Sequence, residues 1–268
     1  MYLEYYNLDE HPFNITPNPR FLYFSQQHKD AFDHLVFGIK HRRGFIELTG
    51  EVGSGKTTLC RAVLASLDRS VETALVLNPS LTETQLLRAM LNDFGLEVRG
   101  RDRLTYIEKL NDFLLDRNKQ GMNVALVIDE AQDLSPQVME QVRLLSNLET
   151  DRHKLIQIVL CGQPELKQRL ARPDLRQLRQ RITIRYHLNP LSLQDTTGYI
   201  SHRLAVAGAN GSLSFSSPAL KKVHKYCKGC PRVINALCDH ALLAGYVAQT
   251  HTIDPKCVDK AIKQLEGS

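Results

Sequence analysis

Short apolar strands alternating with amphipathic helices, followed by a tail in which strand signals stop, predict an α/β protein. Its sheet should be parallel and covered on both faces, with a small all-helical C-terminal subdomain. Two local patterns point the same way. Gly50-Glu-Val-Gly-Ser-Gly-Lys-Thr57 sits between the first strand and the next helix, and Asp129-Glu130 closes a later apolar strand.

Residues 1–28 read as an extended arm. Three prolines within eight residues oppose a helix between His11 and Pro19. The aromatics of Phe21-Leu-Tyr-Phe24 imply that the arm packs on the body or on a ligand. Ala31, Phe32, Leu35, Val36 and Ile39 fall at helical spacing over Gln27 to His41. Strands follow at Phe45–Thr49, Thr73–Leu77, Asn123–Ile128, Leu155–Leu160 and Ile182–Leu188. Between them lie helical stretches at 59–67, 82–94, 104–119 and after Ser135-Pro136, where serine suits the cap and proline the first turn. Beyond Pro190 come four amphipathic stretches, 192–208, 217–226, 232–248 and 255–265, with Ser192, Ser217 and Asp254 at plausible starts. The expected organisation is an arm (1–28), an α/β core (29–190) and a helical lid (191–268).

Composition narrows the class of protein. The chain has 268 residues, 43% hydrophobic and 24% charged, which is too apolar for a disordered chain. Its longest notable apolar run, Val124 to Ile128, is far shorter than the ~20 residues of a membrane span. The N-terminus, acidic and aromatic, lacks a secretory signal, so a cytoplasmic location is expected. A net charge of +5 permits an anionic partner but also describes an ordinary basic surface. Cysteines 60, 161, 227, 230, 238 and 257 form no disulfide framework. Cys227-Lys-Gly-Cys230 has His224, Cys238, His240 and Cys257 nearby on paper. Without a second motif at zinc-finger spacing, it argues against zinc.

Gly50-x-x-x-x-Gly55-Lys56-Thr57 matches a phosphate-binding loop. Residues Gly50, Glu51, Val52, Gly53, Ser54, Gly55, Lys56, Thr57 and Thr58 are the candidates to bind ATP. Glycines let backbone N–H groups turn inward around phosphate, and the following helix adds its positive end. Lys56 is placed for the β- and γ-phosphates and Thr57 for Mg²⁺. Asp129 is placed to hold the Mg²⁺ water shell and Glu130 to deprotonate an attacking water. Gln163 ends the fourth strand, where it could sense the γ-phosphate or be an ordinary turn residue. The segment 166–185 carries Lys167, Arg169, Arg172, Arg176, Arg179, Arg181 and Arg185 against Asp174. Such arginines are usually a solvated face, but one could reach a neighbouring subunit's ATP as a finger. Gly229-Cys-Pro-Arg232 opens a tail helix, from which Arg232 could touch the phosphates or act as a cap.

Together these residues resemble the AAA+ ATPases. Three features are similar to the general secretion pathway protein A type. They are Tyr6-x-x-x-x-x-Pro-Phe-x-x-x-Pro-x-Pro-Arg-Phe-Leu-Tyr23, Gly50-Glu-Val-Gly-Ser-Gly-Lys-Thr-Thr58, and Ile128-Asp-Glu-Ala-Gln-Asp-Leu134 with Gly162-Gln-Pro-Glu-Leu166. The resemblance covers nearly the whole chain. It implies a P-loop AAA+ core with sheet order 5-1-4-3-2, a helical lid, and an ATP-dependent homo-oligomer, a ring. It makes Gln163 the first sensor, Arg181 the finger with Arg176 and Arg179 as rivals, and Arg232 the second sensor. The arm would border the adenine. Similar standalone ATPases accompany type IV pilus, mannose-sensitive pilus and exopolysaccharide loci in bacteria. Full-length members continue into a transmembrane helix and a peptidoglycan-binding region, whereas this chain stops at Ser268. A short paralogue or an excised domain would reach the inner membrane only through a partner or that missing region.

Three functions follow from this reading. The first is a Mg²⁺-dependent ATPase that drives or regulates assembly of a secretion or pilus machine. The alternative is a DNA-associated regulator related to transposition target-selection ATPases, with the basic 166–185 segment on phosphate backbone. A nucleotide-binding interaction module with negligible turnover is the third, opposed by intact Lys56, Asp129 and Glu130.

Overall fold

The computed structural model describes residues 1–268 except 17, 78, 79, 98, 99, 101, 151, 152 and 268. Helices α1 (Tyr2–Tyr6) and α2 (Gln26–Lys40) precede β1 (Phe45–Gly50), α3 (Lys56–Ser66), β2 (Val71–Val76), α4 (Glu83–Asp93) and α5 (Arg103–Lys119). Then come β3 (Asn123–Ile128), α6 (Pro136–Leu145), β4 (Gln157–Gly162), α7 (Pro164–Leu170), α8 (Arg176–Arg181) and β5 (Ile182–Leu188). The tail holds α9 (Leu193–Val206), β6 (Ser214–Phe215), α10 (Ser217–Cys227), α11 (Pro231–Val247), β7 (Thr252–Ile253) and α12 (Pro255–Glu266). These elements form two compact units, one of Asp30–Gly50 and Leu59–Leu188, the other of Met1–Lys29, Glu51–Thr58 and Asn189–Ser268.

In the first unit, β1 to β5 form one parallel sheet in the order β2-β3-β4-β1-β5. This is the 5-1-4-3-2 order that the resemblance implied, read from the opposite edge. The central strands β1, β3 and β4 are buried along their whole length, the mark of a sheet covered on both faces. Edge strands β2 and β5 show mixed or alternating exposure instead. Leu86, Leu87, Met90 and Leu91 of α4 pack with Leu110 and Leu114 of α5 and with Val124, Leu126 and Ile128 of β3. Each fully buried leucine of this cluster contributes about 2 kcal/mol, which is why truncation to alanine there would cost about 2–5 kcal/mol. The bounding helices start at side-chain caps: Thr82 and Gln85 form a reciprocal capping box on α4, and Ser135 accepts from Val138 N on α6. Because the strands are parallel, Gly50, Val76, Ile128, Gly162 and Leu188 all end at one edge of the sheet. Ligands of open α/β sheets bind at that edge.

In the second unit the arm is part of the hydrophobic core. Tyr6, Leu8, Phe13 and Phe21 pack with Leu191, Tyr199, Ile234, Leu237 and Ile253. Buried Arg203 straps the arm down, donating from Nε to Pro12 O (2.5 Å) and from Nη2 to Asn14 O (3.0 Å) while lying over the Phe21 ring. The arm is not extended throughout: Tyr2–Tyr6 is one helical turn, and Pro19 opens a 3₁₀ turn. Proline is compatible with a first helical turn, where its missing N–H costs nothing. The tail also contains a parallel ladder, β6 with β7, pairing Phe215 with Ile253. Two residues per strand are too few for a periodic signal, so the all-helical expectation missed it. Ser216, one residue before the expected Ser217, caps α10.

Candidate functional site

β1 runs into the glycine-rich loop, and α3 begins at Lys56. Gly53 and Gly55 adopt φ values of +76° and +96°, which turn the backbone inward. Ser54 N donates to Glu51 O (3.1 Å), and Lys56 Nζ, on a buried side chain, donates to Glu51 O (3.0 Å). The Ser54 hydroxyl is buried with no hydrogen-bond partner among the described residues. A buried orphan hydroxyl beside a helix start, in a loop wound on left-handed glycines, fits the oxygens of a phosphate chain. Thr57 and Thr58, half-buried, continue into α3.

The loop is gripped from within its own unit. Arg232 N donates to Gly53 O (3.3 Å) and Cys230 Sγ to Val52 O (3.3 Å), so the first turn of α11 rests on the loop. A Cβ at position 53 would stand 2.4 Å from Arg232 Cβ, so glycine is required there twice over, by φ and by space. The Arg232 side chain is exposed. From another side, His28 Nε2 lies 3.3 Å from Ser54 O and its Nδ1 lies 2.7 Å from Ser25 Oγ. Burial lowers the His28 pKa, opposed by the Ser54 carbonyl and by Asp195. A neutral ring suits both contacts, accepting from the Ser25 hydroxyl at Nδ1 and donating from Nε2 to the Ser54 carbonyl.

The acidic pair belongs to the sheet-bearing unit. Asp129 is buried, its N donating to Val76 O (2.9 Å) and its Oδ1 accepting from Glu130 N (2.9 Å). Glu130 has φ +50°, an uncommon value for a non-glycine residue, held in place by that contact. Its Oε2 accepts from Gln163 Nε2 (3.1 Å) and Gln132 Nε2 (2.8 Å). The Gln132 Oε1 in turn accepts from Gln163 N (3.0 Å). Two of the sequence candidates, Glu130 and Gln163, are thus in direct contact across the ends of β3 and β4.

The basic segment is largely committed to internal partners. Arg169 Nη1 donates to Gln132 O (2.6 Å), Arg172 pairs with Asp174 (3.1 Å), and Arg185 pairs with Glu47 (3.4 Å). Glu47 is buried in β1; its pKa is raised by burial, with the Arg185 charge opposing. Arg176 and Arg179 are exposed on α8. Arg181 donates to Ser146 Oγ and lines a cavity with Arg43, Phe45, Lys154, Ile158 and Thr183. That cavity lies at the strand starts, the edge of the sheet opposite Glu130 and Gln163. Burial and the nearby Arg181 charge lower the Lys154 pKa.

Sequence reasoning missed Gln132 as a contact of Glu130, His28 as a contact of the loop, and Cys230 as more than half of a cysteine pair. Only Gln132 carried a signal, its place two residues after the acid pair. Cys227, paired with Cys230 in the sequence, is a buried thiol whose pKa burial raises to about 12.

With this geometry in hand, comparison with known proteins defines the class. Residues 39–170 match the family described as an AAA domain. The chain is similar over its full length, at 46% identity, to general secretion pathway protein A of Aeromonas hydrophila, and it spans 49% of that relative's length. Among solved structures, the Aeropyrum pernix ORC2 protein (ADPNP–ADP complexes) superposes with a TM-score of 0.71 at 16% identity, covering 96% of this chain and 71% of the other. Drosophila ORC bound to DNA gives 0.72 at 17% identity over 96% of this chain and 65% of that one. The likeness to these two is one of fold. The chain has the AAA+ fold, with an AAA domain over residues 39–170. Within that class it is similar over its full length to the general secretion pathway protein A type.

Proposed function

We propose that the chain binds ATP on the loop Gly50–Thr58 and hydrolyses it with Glu130 as the base. The observation that carries this reading is the left-handed glycine loop with its buried Ser54 hydroxyl, which has no hydrogen-bond partner among the described residues. Backbone N–H groups of Gly53 and of residues 55–58 would bind phosphate oxygens, with Lys56 neutralising the β- and γ-phosphates. Thr57 and Asp129 offer the hard oxygen ligands that Mg²⁺ takes, and the ion would neutralise phosphate charge. Glu130, oriented by its amide contacts, would take the proton of the attacking water. Gln163 would contact the γ-phosphate from the end of β4, and Arg232 the phosphates from α11.

Arg181 sits at the opposite sheet edge, roughly 20 Å of strand away from Glu130, since six residues rise ~3.3 Å each. It would therefore serve another subunit's nucleotide, which makes the proposed assembly an ATP-dependent homo-oligomer, a ring. Arg176 and Arg179 remain rivals. The similarity to general secretion pathway protein A supports coupling to assembly of a bacterial envelope machine, of the type II secretion or type IV or mannose-sensitive pilus kind. Such a protein would work at the cytoplasmic side of the inner membrane, held there by a partner. No helix among the described residues is long and apolar enough to cross a membrane. The DNA-associated alternative is disfavoured because Arg169, Arg172, Arg181 and Arg185 of the basic segment already have protein partners.

Hydrolysis and ATP affinity of Lys56→Ala and Glu130→Gln test the reading. Lys56→Ala should lose ATP affinity, and Glu130→Gln should bind ATP without turning it over. Wild-type affinity in the first, or wild-type turnover in the second, would overturn the assigned role.

A further inference from the structure

Glu130 has a flexible side chain, and a general base is effective only when its carboxylate is held at the angle the reaction needs. In this structure the holding is done by amides. We propose that Gln132 is a positioning residue for Glu130, fixing the carboxylate and tying it to β4; the proposal rests on the hydrolytic reading above.

Gln132 uses both ends of its side-chain amide. Its Nε2 donates to Glu130 Oε2 (2.8 Å) and to Asp133 Oδ2 (3.2 Å), and its Oε1 accepts from Gln163 N (3.0 Å). Gln163 Nε2 donates to the same Glu130 oxygen (3.1 Å), which closes a ring of three residues, through the Gln163 main-chain N, across the ends of β3 and β4. Only an amide of glutamine's length both gives and takes a hydrogen bond in this way: glutamate lacks the donor, leucine lacks both groups, and asparagine is one methylene short.

The neighbouring structure is shaped around that amide. A Cβ on Gly162 would stand 2.7 Å from Gln132 Oε1, so the residue before Gln163 has no room for a side chain while the clamp is in place. Gln132 is fixed in turn from α7, where Arg169 Nη1 donates to its carbonyl oxygen (2.6 Å). The two amide donors, Gln132 Nε2 and Gln163 Nε2, converge on Oε2, and this orients the plane in which Oε1 lies. A displacement of this carboxylate by about 1 Å would cost roughly 100-fold in rate while leaving the nucleotide contacts of the loop unaltered.

The test compares the full chain carrying Glu130→Gln, Glu130→Ala, Gln132→Ala, Gln132→Glu and the double variant Glu130→Gln/Gln132→Ala. Readouts are kcat, KM, affinity for a non-hydrolysed ATP analogue, and the ¹⁵N side-chain amide signal of Gln132 in the nucleotide-free protein. Gln132→Ala should lower kcat about 10- to 100-fold with analogue affinity changed by no more than about twofold. Gln132→Glu should be no better, because it keeps the length and loses the donor. In the Glu130→Gln background Gln132→Ala should cost nothing further, since residues acting as a unit are not additive. The Gln132 amide signal should move in Glu130→Ala.

Wild-type kcat in Gln132→Ala, or an equal loss in both backgrounds, would overturn the proposal while leaving the hydrolytic reading intact. If Glu130→Gln hydrolyses ATP at the wild-type rate, the hydrolytic reading fails instead. An amide signal unmoved by Glu130→Ala overturns the clamp whether or not the protein turns ATP over.

Discussion

The glycine-rich loop and the acid pair are built on opposite principles. Gly53 and Gly55 shape the loop through backbone dihedrals, and its clamps reach main-chain atoms: Arg232 N on Gly53 O, Cys230 Sγ on Val52 O, His28 on Ser54 O. Glu130 is instead held by side chains, the amides of Gln132 and Gln163. A site held through its backbone tolerates little change at its glycines but much at its side chains. A site held through side-chain amides should lose its chemistry, and keep its fold, when one amide is removed.

That contrast can be broken or sharpened in order of expected effect. Glu130→Gln should lower kcat by about 10²- to 10⁴-fold, the range for loss of a general base, with ATP affinity retained; single-turnover kinetics measure both. Lys56→Ala should weaken ATP binding by about 100-fold or more by calorimetry, because a charge-assisted contact to phosphate is lost from a buried position. Gly53→Ala should destabilise the protein by about 1–3 kcal/mol in a denaturant titration, since it adds a positive-φ penalty to the clash with Arg232. Gly55→Ala meets nothing closer than His28 Nε2 at 3.5 Å, so it carries the φ penalty without the clash and should cost less. Equal losses at 53 and 55 would mean that α11 does not brace the loop.

The smallest expected effect is one of pH. The folded pKa of His28 is depressed, chiefly by burial, so its stabilising contribution is present above the unfolded value near 6.5. It is lost as pH falls from there through the folded pKa, because the unfolded chain takes up the proton first. The Tm of wild type should therefore drop between pH 7.5 and 5.5 by more than that of His28→Gln. An identical drop in both would remove His28 as the titrating brace.

The two regions also differed in how far they could be read from the residues. The loop was visible because its chemistry is local: glycines, lysine and threonine at fixed spacing between a strand and a helix. The acid pair was equally visible, since five apolar residues followed by two carboxylates leave little else for a buried central strand. Gln163 was placed at a strand end, but its bond to Glu130 depends on β3 and β4 being neighbours, a fact of sheet order that spacing does not carry. Gln132 was hidden for the same reason, its second partner lying 31 positions away in sequence. His28 read as one more residue of an amphipathic helix. The β6–β7 ladder was too short to leave a period, and Arg203's hold on the arm joins residues about 190 apart.

Everything proposed for the site turns on whether ATP bound by the loop is hydrolysed with Glu130 as the base. The most direct measurement is single-turnover hydrolysis of radiolabelled ATP by wild type and Glu130→Gln, with ATP saturation confirmed for each. Both should bind ATP with similar affinity, and the variant should release phosphate at least about 100-fold more slowly. Equal rates of phosphate release at saturation would contradict that role of Glu130.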